Sequence, residues 1–417
     1  MGATVDSKET NANRSRLVFS LLPLATALAY FFSNPKPQNF YDYTFRVADN
    51  LLHGAVGFLE KPPPWLNEFV PFNGSYYSVF PLGSVLSMIP FALLRTIGVI
   101  TDMPGAFIAA LLAGLSCFCL LKIADRYGHS PERRILLTMA ILFGTWMWTN
   151  LTFAGAWQLA LGFAMLGELG AIYFTVYDRR PLIAGAFFAL AFGNRTEIIL
   201  TAPVFFYLLI RQRGGETAKS SSKQIADRRS QIAGLTRFCA VPFVLGILSL
   251  IYNYVRFSSF TDFGYARIPC VLNEPWYNYG IFSIEYIPRQ AWEMLWKMWR
   301  IKDTFPYLIP DGFSSSILLS SPFLLFSLGT GSRDKALKYA SWAAIVILTF
   351  LLWIHGNSGG WQFGYRYAMV ILPWIFVILL ESSPKKITPL EWAAYGFSFA
   401  MNLYATWLFH WTEYVKP

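Results

Sequence analysis

The chain has 417 residues, of which 55% are hydrophobic, 18% aromatic and only 14% charged. Soluble domains carry about 25% charged residues, so this composition excludes a water-soluble domain, which would lack the charge to cover its surface. The formal charge of +10 points to nucleic acid only where basic residues form one stripe; here they fall in short clusters between apolar runs, as in cytoplasmic loops of membrane proteins, and no nucleic-acid partner is expected.

In chain order, residues 1–16 read as a polar cytoplasmic tail. Arg14 and Arg16 precede the apolar run Leu17–Phe32, which predicts a first helix with its N-terminus in the cytoplasm. Ala27-Leu28-Ala29 is similar to a signal-peptidase site; a retained helix is the expectation. Residues 33–78 hold Asp42, Asp49, Glu60 and Glu68 among aromatics and prolines, with no spanning run, and form a first outer loop. Apolar segments follow at Val79–Ile100, Pro104–Ile123, Ile135–Phe153, Ala156–Tyr177, Pro181–Gly193 and Ile198–Ile210. The last two are short for a span and predict a bent hairpin whose tip is Asn194-Arg195-Thr196-Glu197. Residues 211–237 are basic and Ser/Lys-rich, which predicts a helix-poor cytoplasmic linker. Phe238–Tyr254 returns outward and 256–312 forms a second outer loop. Phe313–Leu328, Tyr339–Ile354, Tyr367–Leu380 and Leu390–Phe409 complete the set.

The predicted architecture is an all-α polytopic membrane bundle of about 11–13 transmembrane helices. It forms a single transmembrane domain over 17–417. Basic loops at Asp125–Arg134, Asp178–Arg180, Arg211–Arg237, Arg333–Lys338 and Lys385–Lys386 alternate as cytoplasmic. That pattern places the C-terminus outside and requires an odd number of crossings, against about twelve segments of spanning character. Three resolutions stand open: a segment between Val79 and Ile123 that does not fully span, a missed segment, or an outer Asp125–Arg134 loop. Cys117, Cys119, Cys239 and Cys270 have no metal or redox spacing, and the first three read as buried small hydrophobes.

Asp42 sits just beyond the first helix, where a carboxylate can take a proton from an attacking hydroxyl. Asp49 lies two helical turns on, so the two acids can share a face; solvated loop acids are the alternative. In Asn73-Gly74-Ser75-Tyr76-Tyr77-Ser78-Val79-Phe80-Pro81, Asn-Gly predicts a turn, the tyrosines mark the interface, and Pro81 starts a helix. The outer turn Ser358–Tyr367 has glycines that let backbone approach a ligand. Arg366 there can grip a phosphate with its planar fork or anchor in lipid headgroups. Glu168 and Arg95 lie in apolar runs, and interhelix pairing is expected of both. Finally, Pro288–Arg300 places Trp292, Leu295, Trp296 and Trp299 on one helical face, which predicts an interfacial helix.

Four segments together resemble the C-type superfamily of membrane glycosyltransferases, in the group of protein O-mannosyltransferases and lipid A aminoarabinose transferases. They are Tyr41-Asp42-Tyr43 with Ala48 and Leu51-Leu52-His53-Gly54; Gly74 through Gly83; Asn253 with Arg256-Phe257 and Phe263-Gly264-Tyr265; and Gly359-Gly360-Trp361 with Phe363 through Tyr367 and Pro373. The resemblance implies an extracytoplasmic site in the plasma (inner) membrane and a polyprenyl-phosphate sugar donor. The acceptor would be a lipid, glycan or protein, and Asp42 the catalytic base. Arg366, Arg256, Lys61, Asp49, Tyr77 and Tyr365 are the substrate-binding candidates, with Lys61 taken from a donor-phosphate element similar to Glu60-Lys61-Pro62. Many relatives carry a second acid where this chain has Tyr43. No cofactor is expected, and without an Asp-x-Asp sequence no metal is required, although divalent-cation dependence stays open. The rival reading is a transporter or flippase of lipid-linked substrates.

Overall fold

An apolar helix must run about 20 residues to cross a hydrocarbon core. In the computed structural model four helical stretches meet that requirement: Gly105–Tyr127, Ala156–Tyr177, Arg228–Phe257 and Lys335–Ile354. The structure describes residues 20–211, 221–384 and 386–415, with side chains omitted for 221–227. The expected polar tail 1–16, part of the basic linker and Lys385 lie outside the described residues. Helix accounts for 67% and strand for 4%, in agreement with the all-α expectation.

The helices, in order, are α1 (Ser20–Phe32), α2 (Tyr43–Leu52), α3 (Leu82–Thr96), α4 (Gly105–Ala124), α5 (Pro131–Phe143), α6 (Met147–Thr152), α7 (Ala156–Ile172) and α8 (Pro181–Asn194). A 3-10 segment, Thr196–Thr201, leads into α9 (Ala202–Ile210), followed by α10 (Ser221–Phe257), α11 (Ile287–Leu295) and α12 (Ile317–Ser320). After α13 (Lys335–Ile354), a 3-10 segment Arg366–Ile371 runs into α14 (Leu372–Ser382), and α15 (Pro389–Trp411) ends the bundle. Two small antiparallel hairpins, β1–β2 (Phe69–Phe72 with Ser75–Ser78) and β3–β4 (Arg300–Ile301 with Leu308–Ile309), lie in the connections between α2 and α3 and between α11 and α12.

The basic connections gather at one end. Arg211 forms a paired ion bridge with Asp334 (2.8 Å and 2.5 Å). Arg333 donates to the Tyr127 carbonyl, His129 contacts the Leu380 carbonyl at 2.9 Å, and Arg179 donates to the Arg211 carbonyl at 3.0 Å. At the opposite end Trp411 donates to the Ser33 carbonyl (2.8 Å) and Asn34 to that of Thr152 (2.8 Å), so the end of α15 meets the end of α1. Segment Val79–Ile100 does not travel between the ends. Its helix α3 starts beside Asn194, its last turn pairs Arg95 with Asp49 of α2 at 3.4 Å, and α4 then starts beside Asn39.

Three other expectations change. The linker 211–237 is not helix-poor, because α10 already begins at Ser221. Phe313–Leu328 is not one helix; α12 stops at Ser320 and a 3-10 stretch follows from Pro322. The Pro288–Arg300 helix ends at Leu295. Trp292 and Trp296 are exposed as expected, but Trp299 is buried against Phe363 (5.6 Å) and Tyr404 (6.2 Å).

Glu168 is fully buried and accepts from the Trp374 indole at 3.0 Å, joining α7 to α14 as the interhelix pairing expected of it. Arg95 also pairs between helices, although its side chain is 43% exposed at a helix end and not deep in the bundle. Near the basic end Arg133 of α5 grips Glu391 of α15 through two bonds, 2.6 Å and 3.2 Å, and Glu391 also closes the capping box with Thr388. Removing one member of such a pair strands a buried charge and costs about 3–5 kcal/mol. Glu391→Ala should therefore lower the melting temperature in detergent strongly, and the double change Arg133→Met with Glu391→Leu should recover most of the loss; equal melts for wild type and Glu391→Ala would refute a structural role.

Candidate functional site

The site is assembled by local rules at the end opposite the basic loops. Asn73 (φ 47°) and Gly74 (φ 79°) both sit in the left-handed region, as a two-residue type I′ hairpin turn requires. The hairpin returns the chain so that the Val79 N–H donates to the carbonyl of Glu68, the residue just before β1 (3.2 Å). Arg256, at the end of α10, holds the exit from β2. It donates to the carbonyls of Ser78 and Phe80 and to Asn253 Oδ1 (2.6 Å), and it lies over the Tyr252 ring at 3.9 Å.

The chain then enters α3, where Gly83 abuts Gly193 of α8 so closely that a Cβ on Gly83 would overlap the Gly193 backbone. That approach brings Ser87 to Asn194 Nδ2 (2.9 Å) and Ser84 to the Asn194 carbonyl (3.4 Å). These bonds fix the hairpin tip, Asn194 to Glu197.

Around the tip lies a polar and aromatic cluster. Trp157, in the first turn of α7, donates its indole N–H to both carboxylate oxygens of Glu68 (3.0 Å and 2.9 Å). Tyr41 (4.9 Å) and Tyr43 (5.2 Å) pack on the Trp157 ring, and the Arg366 guanidinium lies 5.9 Å from it. Arg366 is buried, yet its terminal nitrogens make only long bonds to the Trp361 carbonyl (3.4 Å) and Tyr367 hydroxyl (3.3 Å), and its Nε has no partner. The Tyr367 ring is 5.1 Å from Arg366 and 4.6 Å from Arg195, which pairs with Glu197 at 2.7 Å. Tyr265 and Tyr277 join hydroxyls at 2.8 Å, and the ring of His355 lies 6.2 Å from that of Tyr367.

Burial pushes the Glu68 carboxyl up to about 7, against the Trp157 hydrogen bonds and the Arg366 charge that favour its ionised form. Asp42 is also raised by burial, but Arg46 grips it at 2.6 Å and pulls the other way. Burial lowers His355, which is therefore neutral at pH 7. The cluster thus offers a carboxylate able to exchange a proton near neutrality and a buried arginine with unused donors. Among the described residues no group of acids, histidines and cysteines could hold a metal ion.

The other sequence candidates fall into separate places. Asp42 adjoins the cluster through its neighbours Tyr41 and Tyr43. Asp49 shares Arg95 with it, and the Arg95 charge also reaches Asp42, so the two acids share a face as expected. Lys61 is exposed. Tyr77 packs on Phe257 (5.9 Å) and covers Gly57. Tyr365 is core, its hydroxyl on Gln290 (2.9 Å) and the Leu352 carbonyl (3.2 Å). Glu68, Trp157 and Arg195 were not singled out for chemistry by the sequence. Their only signals were a loop acid beside an Asn-Gly hairpin and a charged pair at the tip of two short apolar runs.

The fold is that of a helical membrane protein, by its long apolar helices. No protein-family model, curated protein or solved structure matches the chain.

The Gly83–Gly193 contact gives a test of the scaffold. Gly83→Ala should lower the yield of folded protein and its melting temperature, at a cost of about 1–3 kcal/mol for an overpacked contact. A Cβ on Gly396 would meet nothing within 4 Å, so Gly396→Ala should be neutral or slightly stabilising. Equal melts for the two variants would contradict the backbone contact.

Proposed function

We propose that this chain is a membrane glycosyltransferase that moves a sugar from a polyprenyl-phosphate donor to an acceptor hydroxyl at the extracytoplasmic face of the plasma (inner) membrane. The observation that supports it most is the meeting of Glu68, titrating near 7, with the under-bonded Arg366. The acceptor oxygen attacks the anomeric carbon while its proton passes to a carboxylate. The bond from that carbon to the phosphate oxygen breaks, and the lipid phosphate leaves with the electron pair, its charge offset by Arg366. The family resemblance assigns the base to Asp42. The geometry favours Glu68, because a carboxylate held by an arginine is a weaker base than one held by a neutral indole.

The passes between the two ends support the sidedness. Among the described residues, α1, α4, α5, α7, α8, α9, α10, residues 317–328, α13, residues 366–382 and α15 make eleven. An odd number agrees with a cytoplasmic basic end and an outer C-terminus, and leaves α3 as the segment that does not cross. Single cysteines at Lys61 and Lys302, both exposed, should react with an impermeant reagent from outside, and one at Lys335 should not. The reverse pattern would put the site in the cytoplasm.

The broken α8–α9 pair also suits a transporter, whose sites lie at interrupted helices. Proteoliposomes given radiolabelled polyprenyl-phosphate sugars separate the readings, since a transporter forms no new glycoside. On the transferase reading Glu68→Gln should lower kcat/KM by about 10²–10⁴-fold, and Asp42→Asn by less than about tenfold. The reverse ranking would return the base to Asp42, and undiminished rates in both would sink the mechanism. The active form of Glu68 is ionised, so wild-type kcat/KM should rise with pH through about 7. The residual activity of Glu68→Gln should lack that limb.

A further inference from the structure

We infer that the α8–α9 hairpin tip supplies the second half of a phosphate clamp, in which Arg195 and Arg366 grip the phosphate group of a lipid-linked ligand from two directions. The inference rests on the reading of Arg366 as the donor-phosphate residue and adds a partner that the family resemblance does not name. Both guanidiniums lie against the same ring, Tyr367, at 4.6 Å and 5.1 Å, which makes that ring the common wall of the proposed phosphate site. Both also hold donors in reserve. Arg366 is buried with its Nε unpartnered. Arg195 uses Nε and one terminal nitrogen on Glu197 Oε1, at 2.8 Å and 2.7 Å, and its other terminal nitrogen meets no hydrogen-bond acceptor among the described residues.

Buried donors are ordinarily satisfied, so the unpartnered Nε of the buried Arg366, whose terminal nitrogens make only long bonds, is a place for a further acceptor, while the Arg195 side chain is 21% exposed and keeps its free terminal nitrogen accessible. The acceptor's shape follows from the geometry. A planar carboxylate fits one guanidinium fork, whereas a tetrahedral phosphate presents oxygens outside a single plane and can bond forks on two sides. Glu197 is a positioning residue that fixes the Arg195 fork toward Tyr367. The tip can hold this place because Ser84 and Ser87 of α3 bond Asn194.

Binding measured without turnover tests the clamp. The full-length protein in nanodiscs would be titrated with a short-chain polyprenyl phosphate, the matching polyprenol and inorganic phosphate. Arg195→Gln should weaken polyprenyl phosphate about tenfold or more, the effect of losing a charged hydrogen bond, and leave polyprenol unchanged. Arg195→Lys keeps the charge and should still lose several-fold, which keeps the test valid if the glutamine variant does not fold. Unchanged affinity for polyprenyl phosphate in a folded variant, or an equal loss for polyprenol, would overturn the clamp. Inorganic phosphate binding as tightly as the lipid would overturn the lipid-linked source. A protein that binds polyprenyl phosphate through Arg195 but transfers no sugar would sink the transferase reading and leave the clamp standing.

Discussion

The candidate site depends on one close approach, the backbone of Gly83 against that of Gly193. A helix that stops inside an apolar bundle exposes peptide groups where no water can satisfy them, at a cost of several kcal/mol each. The chain stops α8 at Asn194 and restarts in a 3-10 turn at Thr196. It meets the cost by laying α3 directly on the break, so that Ser84 and Ser87 bond Asn194. Any side chain at position 83 would hold the helices apart and withdraw those hydroxyls. The charged tip, Arg195 paired with Glu197, follows directly on the anchored Asn194.

The second interrupted segment obeys the same rule by other means. Residues 366–371 form a 3-10 turn before α14, and the backbone leading into it is held by side chains. Gln362 accepts from the Arg366 N–H at 2.8 Å, and Asn150 accepts from the Phe363 N–H at 3.2 Å. Gly364, with φ 67°, lies where a Cβ would press on Trp146. The two interruptions meet at the Tyr367 ring, which has a charged residue from each beside it, Arg195 and Arg366. Arg256 completes the frame, its terminal nitrogens bonding the Ser78 and Phe80 carbonyls and Asn253 Oδ1 while its Nε is unpartnered.

What the sequence disclosed follows how local each signal is. The Asn73-Gly74 turn and the Pro81 start of α3 were legible because turn and cap chemistry reside in two or three residues. The hairpin at Asn194 was legible from length alone. Trp299 was misplaced because the helical period was carried past Trp296, where the backbone leaves the helix at φ −127°; its burial depends on Phe363 and Tyr404, distant in sequence. The linker was misread from its serines and lysines, although a stretch such as Lys223-Gln224-Ile225-Ala226 consists largely of good helix formers. Glu68 gave no sign of chemistry because its partner Trp157 lies 89 residues away.

That difference between local and distant partners also bears on which acid can serve as base. Asp42 and Arg46 are an i, i+4 pair on one helix, a pairing that forms whatever binds nearby. Glu68 is held by a neutral indole, and the cation that favours its charge is Arg366. On the proposed reading, a donor phosphate that engages Arg366 places its own negative charge near Glu68 and offsets the arginine's pull. Both changes raise the Glu68 pKa further. Donor binding would thus make each ionised Glu68 a stronger base while lowering the fraction ionised at pH 7, a coupling that the self-contained Asp42–Arg46 pair is poorly placed to provide.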